Sequence, residues 1–162
     1  MVTLADGTEL QLRLGIPLSP LAGARVAVSR KGRPLDFCLT NFAAPIAIAH
    51  LGRAIAEIAG YDVEQIPVRV GEIEGYVALN ATRRVACVDE ARSVFTTWTT
   101  ADDRSDLAGG YRSINRLYVA AVPSDAHFFR VDGWSVGLIV SEEIKVAMER
   151  VGCLAAKFVD VT

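Results

Sequence analysis

Between residues 87 and 93 the chain reads Cys-Val-Asp-Glu-Ala-Arg-Ser, which gathers a thiol, two carboxylates, a guanidinium and a hydroxyl in a mostly apolar stretch. Three chemistries are conceivable there. A thiol catalyst would need Cys87 within reach of an imidazole, and His127 in "AHFFRV" is the histidine that a neighbouring strand could bring to it. However, the alternating pattern of "RVACVD" already accounts for Cys87 as a small buried residue. Asp89 and Glu90 would be a general acid and base only if they converged, but adjacent residues of an extended chain point to opposite faces. Ser93 lacks the glycines of a nucleophile elbow. The reading that needs no catalysis makes Asp89, Glu90, Arg92 and Ser93 a turn, in which the aspartate ends a strand, caps free backbone N–H groups and is neutralised by the arginine.

A second polar concentration follows. "TTADDRSDLAGG" holds Asp102, Asp103 and Asp106 against Arg104 alone, a net charge of −2 by those four residues, and is flanked by Trp98 and Tyr111. A carboxylate cluster between aromatics suits engagement of a basic protein surface, the carboxylates steering encounter and the rings burying area. Gly109-Gly110 is followed by neither a lysine nor a helix start, so it is not a phosphate-cradling loop. Cys38, Cys87 and Cys153 are far apart, and with only His50 and His127 beside them they predict buried thiols, no metal site and no cofactor.

The elements that position these residues follow from periodicity. The 162 residues are 51% hydrophobic with net charge −2, enough for a real core in one domain and too nearly neutral to attract nucleic acid. Without a secretory leader or a membrane-length apolar run, the chain is expected to be soluble and cytoplasmic. Residues 1–40 read as N-terminal β-hairpins: "ELQLRL" alternates, and "ARVAVS" and "PLDFCLT" flank "RKGR" with Gly32 at the turn. Residues 41–162 form the body of the same domain. There a helix runs from about Pro45 to a stop at Gly60, with His50 facing solvent, and "VEQIPVRV" pairs with a long strand through residue 89, bulged near Ala81. Strands are expected in "VFTTW", "YRSINRLYVAAV", "AHFFRVDG" and "WSVGLIVS". A helix capped by Ser141 and ended by Gly152 follows, then a closing strand, "AAKFVDV". Aligning Gly60 with Gly152 gives a weak strand-helix-strand repeat. The expected fold is α+β, with two principal helices on a mixed or mainly antiparallel sheet.

The blocks "LDFCLTNFAAPIAIAHLGRAIAEIAGYDVEQIPVRV", "GYVALNATRRVACVDEARSVFTTW" and "HFFRVDGWSVGLIVSEEIKVAMERVG", with the final "AAKFVDV", resemble bacterial polymorphic-toxin immunity family eleven, formerly a domain of unknown function and abundant in myxobacteria. The likeness spans about residues 35 to 161. Its most specific parts are Asn80 followed by Asp89, Glu90 and Ser93, and the run from Phe129-Arg130 through Phe158. The chain departs from the family at the first helix, where "IAIAHLG" replaces a polar start. The resemblance implies a non-enzymatic protein that neutralises a cognate protein toxin in the producing cell, with no catalytic residues and no membrane or nucleic-acid partner. The alternatives are a small enzyme using Cys87 or His127, and a regulatory or scaffold domain that oligomerises, for example as a homodimer, through sheet edges.

Overall fold

A computed structural model describes residues 2–18, 23–28, 32–40 and 43–162. Among these residues the fold is α+β, with two α-helices and three sheets. The strands are β1 (Val2–Thr3), β2 (Ala24–Val26), β3 (Phe37–Leu39), β4 (Pro45–Ile48), β5 (Val63–Val70), β6 (Ile73–Ala81), β7 (Arg83–Val85), β8 (Val94–Thr97), β9 (Tyr111–Arg116), β10 (Phe128–Val131) and β11 (Trp134–Val140). The helices are α1 (Ala49–Ala59) and α2 (Glu142–Arg150). A six-stranded sheet has the order β1-β2-β5-β6-β4-β3, a three-stranded sheet the order β11-β10-β7, and β8 and β9 form a separate two-stranded ribbon. Pairing is mainly antiparallel, with β2 parallel to β5 and β7 parallel to β10.

The large sheet is covered on both faces, and β6 shows why. Its alternate residues Val77, Leu79 and Ala81 join Leu51, Ile55 and Ala59 of α1 and Ile144 and Met148 of α2 in one buried cluster. Tyr76 and Ala78 face the other way, into a cluster with Val2, Leu12, Val26, Ile46, Ile66 and Val68. Burying each large aliphatic side chain contributes about 1.5–3 kcal/mol, so this two-sided strand anchors the fold. The helix approaches closely at Gly52, where an added Cβ would collide with Val77 Cγ2 and lie 3.0 Å from Gln65 Oε1. Gly52→Ala therefore lowers stability by about 1–3 kcal/mol in urea unfolding, although alanine is the better helix former.

Several expectations are corrected. "ELQLRL" is not a strand: only Glu9 bridges, to Thr3, and Leu12–Leu14 is a 3-10 turn that turns Leu12 inward. "ARVAVS" and "PLDFCLT" do not form a hairpin, because β2 lies between β1 and β5 while β3 is the far edge beyond β4; Ser29 of the expected strand and Arg30 and Lys31 of the expected turn lie outside the described residues. The helix begins at Ala49, not Pro45. Residues 45–48 form β4 between β3 and β6, with Pro45, Ile46 and Ala47 buried, and a short apolar run of this kind has no periodicity to separate strand from helix. The long strand through residue 89 divides at Thr82, after which β7 leaves β6 to pair with β10.

"AAKFVDV" forms no strand. The N–H groups of Leu154 and Ala155 bond instead to the Asp36 carboxylate at 2.9 and 3.2 Å, which places that backbone on a side chain in place of a ladder. The proposed repeat accordingly keeps strand and helix in both copies (β4-α1 and β11-α2), but only the first continues into a strand, β5. Helix α2 starts as expected, with the Ile144 N–H donating to Ser141 Oγ at 3.4 Å. His50 is exposed.

Candidate functional site

The polar residues singled out in the sequence lie on and around the β8–β9 ribbon. Asp89 builds the turn into β8: its Oδ1 accepts from the N–H groups of Ala91 (3.1 Å) and Arg92 (3.3 Å), and its carbonyl from the Ser93 N–H (2.9 Å). Arg92 closes the turn, its guanidinium 4.0 Å from Asp89 Oδ2 and 4.2 Å above the Tyr118 ring. Ser93 Oγ accepts from the Tyr118 N–H at 2.9 Å and donates to the Tyr118 carbonyl at 3.2 Å, so the hydroxyl is fixed in both roles. Glu90 points away from Asp89 and accepts from the Tyr111 hydroxyl at 2.6 Å. These four side chains hold a chain reversal, and none is poised against another for proton transfer.

The turn leads into the β8–β9 ribbon. Tyr111 packs edge-on against Phe95 at 5.1 Å and 89°. Trp98 exchanges backbone hydrogen bonds at 2.9 Å with Gly109 and Gly110, closing the loop between the strands. Asp102 folds inward: its Oδ2 accepts from the Thr99 N–H (2.7 Å) and hydroxyl (2.8 Å), while Oδ1 pairs with Arg112 at 2.7 Å. The backbone N–H of Thr99, then its hydroxyl, with Arg112 a smaller influence, hold the Asp102 carboxyl below its usual range. Arg112 also lies 4.9 Å over the Trp98 ring. Asp106 is held by Arg104 through two hydrogen bonds of 2.9 and 2.8 Å. Asp103 is exposed and makes no ion pair among the described residues. The loop is thus less acidic than its composition implied, because Arg112 of β9 pairs with Asp102 in addition to the Arg104–Asp106 pair within the loop.

Tyr111 carries a testable consequence. Desolvation, then the hydrogen bond and charge of Glu90, push its hydroxyl up to about 12. The folded state retains this proton where the unfolded chain, near its ordinary value of about 10, releases it. The contribution is complete below the unfolded value and is lost as pH rises toward the folded one. In an ultraviolet titration, Tyr111→Phe removes an ionisation step at a pH of about 12.

Cys87 and His127 lie in different surroundings. Cys87 is 2% exposed among Val85, Val119, Ala126, Phe129 and Val131, and burial pushes its thiol up, away from thiolate. His127 sits at the start of α2, with Nδ1 3.1 Å from Ser141 Oγ and 3.8 Å from Glu143. The buried carboxylate of Asp62 accepts from the His127 backbone N–H at 2.9 Å and from Arg83 at 3.3 Å, so it fixes the chain, while the ring is held by Ser141. Arg83 continues to Asp125 at 2.9 Å. This Asp62-Arg83-Asp125 group, like the Arg112–Asp102 pair, joins residues 10 to 42 positions apart and leaves no local signal in the sequence. Among the described residues no group of three or more potential metal ligands converges, and no helix is long and apolar enough to cross a membrane.

No family model matches the chain, and no curated protein matches it.

Proposed function

We propose that the chain is a non-enzymatic immunity-type protein that binds and neutralises a cognate protein toxin in the cytoplasm of the bacterium producing it. The resemblance over residues 35 to 161 supplies the class of partner. The observation that carries the binding role is the β8–β9 ribbon, in which no strand residue is buried and whose loop holds Trp98 and Tyr111 in fixed positions. Aromatic rings ordered before contact lose little entropy on docking, and such anchors dominate binding energy at protein interfaces. Asp103 adds an exposed carboxylate for steering toward a basic surface. Co-expression tests this reading: the product of the adjacent gene, toxic alone, is tolerated when this protein is present. Unrelieved toxicity contradicts it.

The enzymatic alternative predicts an activated thiol. In the folded protein Cys87 resists iodoacetamide and reacts only after denaturation, as mapped by mass spectrometry; rapid selective modification of native Cys87 would restore that alternative. Oligomerisation has one observation in its favour. Among the described residues, strands β3 and β11 are edges of their sheets, and Leu39 and Val136 on them are each 55% exposed. Light scattering separates a dimer made through these edges from a monomer.

A further inference from the structure

After α2 the chain runs without helix or strand to Thr162 and is fastened to the body at two places. At its start the Asp36 carboxylate accepts from the Leu154 N–H (2.9 Å), the Ala155 N–H (3.2 Å) and the Cys153 thiol (3.7 Å). Near its end the Val161 carbonyl accepts from the Val119 N–H at 2.7 Å. Between these points residues 156–160 make no hydrogen bond to the body among the described residues. Ala156, Phe158 and Val161 are half-buried, whereas Leu154 and Val159 are 90% and 74% exposed. Phe158 packs with Leu138 and Val140 of β11 on the cluster shared by β6, α1 and α2, and Val161 packs with Ile139 on the cluster around Cys87. Successive residues of a strand point to opposite faces, so the step from Phe158 to Val161 carries the chain around the outer edge of β11. That edge is unpaired: the Ser141 N–H donates to the His127 carbonyl at 2.9 Å, and the antiparallel register then turns the backbone polar groups of Leu138 and Val140 away from β10.

We propose that Leu154–Thr162 is a strap that opens as one unit about Gly152, with the Asp36 carboxylate as its clasp, and that its opening bares the outer edge of β11. Segments with few buried apolar contacts and few backbone hydrogen bonds open well before the fold as a whole. The strap meets both conditions, since three backbone hydrogen bonds join it to the body and none of its side chains is fully buried. Gly152 suits the hinge: it is exposed, holds a φ of +82°, and would have no atom within 4 Å of an added Cβ. The clasp end is the firmer of the two, because an ionised acceptor makes stronger hydrogen bonds than a neutral carbonyl. The Leu154 N–H, against the smaller opposing effect of burial, holds the Asp36 carboxyl below its usual range and therefore ionised at neutral pH. An uncovered edge strand is a template for pairing with another chain, and a covering loop suppresses it. Residues 136–140, Val-Gly-Leu-Ile-Val, carry no charge or proline that would do so by themselves. This inference does not depend on toxin binding and can fail or succeed separately from it.

The test is amide hydrogen exchange of the full chain, followed residue by residue by NMR. In the wild type the Leu154, Ala155 and Val119 amides show one common protection, lower by about 10-fold or more than that of Thr82, whose N–H is held by the Asp62 carbonyl outside the strap. Asp36→Asn keeps an acceptor oxygen without its charge. It speeds exchange at all three amides by about 10-fold, Val119 included although its own partner is Val161, and leaves Thr82 unchanged. Acceleration at Leu154 and Ala155 with Val119 unmoved shows that the two fastenings open separately and overturns the proposal. Equal acceleration at Thr82 marks a loosening of the whole fold and does the same. The wild-type rates decide the matter whatever the variant's stability, because protection at Val119 equal to that at Thr82 rejects an opening strap.

Discussion

Arg130→Ala destabilises the protein by about 3 kcal/mol. Two effects oppose each other. Removing the guanidinium relieves the cost of a desolvated charge, which by itself favours the variant. Against this, the carbonyls of Ala43, Ser135 and Val136 lose their donors, at about 1–3 kcal/mol for each that water cannot reach, and alanine leaves a cavity in the space of the longer side chain. The loss of three acceptor partners at once outweighs the relief. Ala43 sharpens the point, because it holds a left-handed φ of 57° and its carbonyl is the one bonded most closely, at 2.6 Å. Urea unfolding of Arg130→Ala and Arg130→Met separates the terms. Methionine restores much of the volume without the donors, so it falls between wild type and alanine. A methionine variant more stable than wild type would show that the hydrogen bonds do not repay the burial of the charge.

In the proposed immunity role, Trp98→Ala weakens binding of the cognate toxin by about 30-fold or more, corresponding to the 2 kcal/mol or more typical of an anchoring aromatic. The geometry predicts how the neighbouring substitutions divide. Asp102 is turned inward to Thr99 and Arg112, so Asp102→Ala acts by loosening the loop that carries Trp98. Its effect is therefore less than additive with Trp98→Ala in a double-mutant cycle. Asp103 is exposed and has no structural role of that kind, so Asp103→Ala changes the association rate and its salt dependence with little change in dissociation. Asp106 is held by Arg104 and falls between the two. Alanine at Trp98, Asp102, Asp103 and Asp106 together, with affinity unchanged, would remove the ribbon from the interface.

The parts of the fold readable in the sequence were those whose signal is local. The Ser141 cap and following acidic residues marked α2, Gly60 marked the end of α1, and the alternation of "VEQIPVRV" and "GYVALNA" marked the β5–β6 hairpin. The errors share a cause: neighbours distant in sequence decided the outcome. Pro45–Ile48 is a strand because β3 and β6 lie on either side of it, and Thr82 ends a strand because β10 recruits the residues beyond it. The final segment begins on Asp36, over a hundred residues earlier, which takes the N–H groups of Leu154 and Ala155. The same holds at the ribbon. Asp89 and Ser93 form a turn that their spacing encodes, whereas neutralisation of the acidic loop depends on Arg112 from the opposite strand. Arg130 was legible only as one letter of a terminal pattern, since nothing adjacent in sequence announces a fully buried cation.

The most direct test of the toxin-binding account is calorimetry of the purified protein with the product of the adjacent gene, at low and moderate salt. The account predicts stoichiometric binding that abolishes the partner's toxicity and weakens as salt rises. Absence of binding at either salt concentration would contradict it.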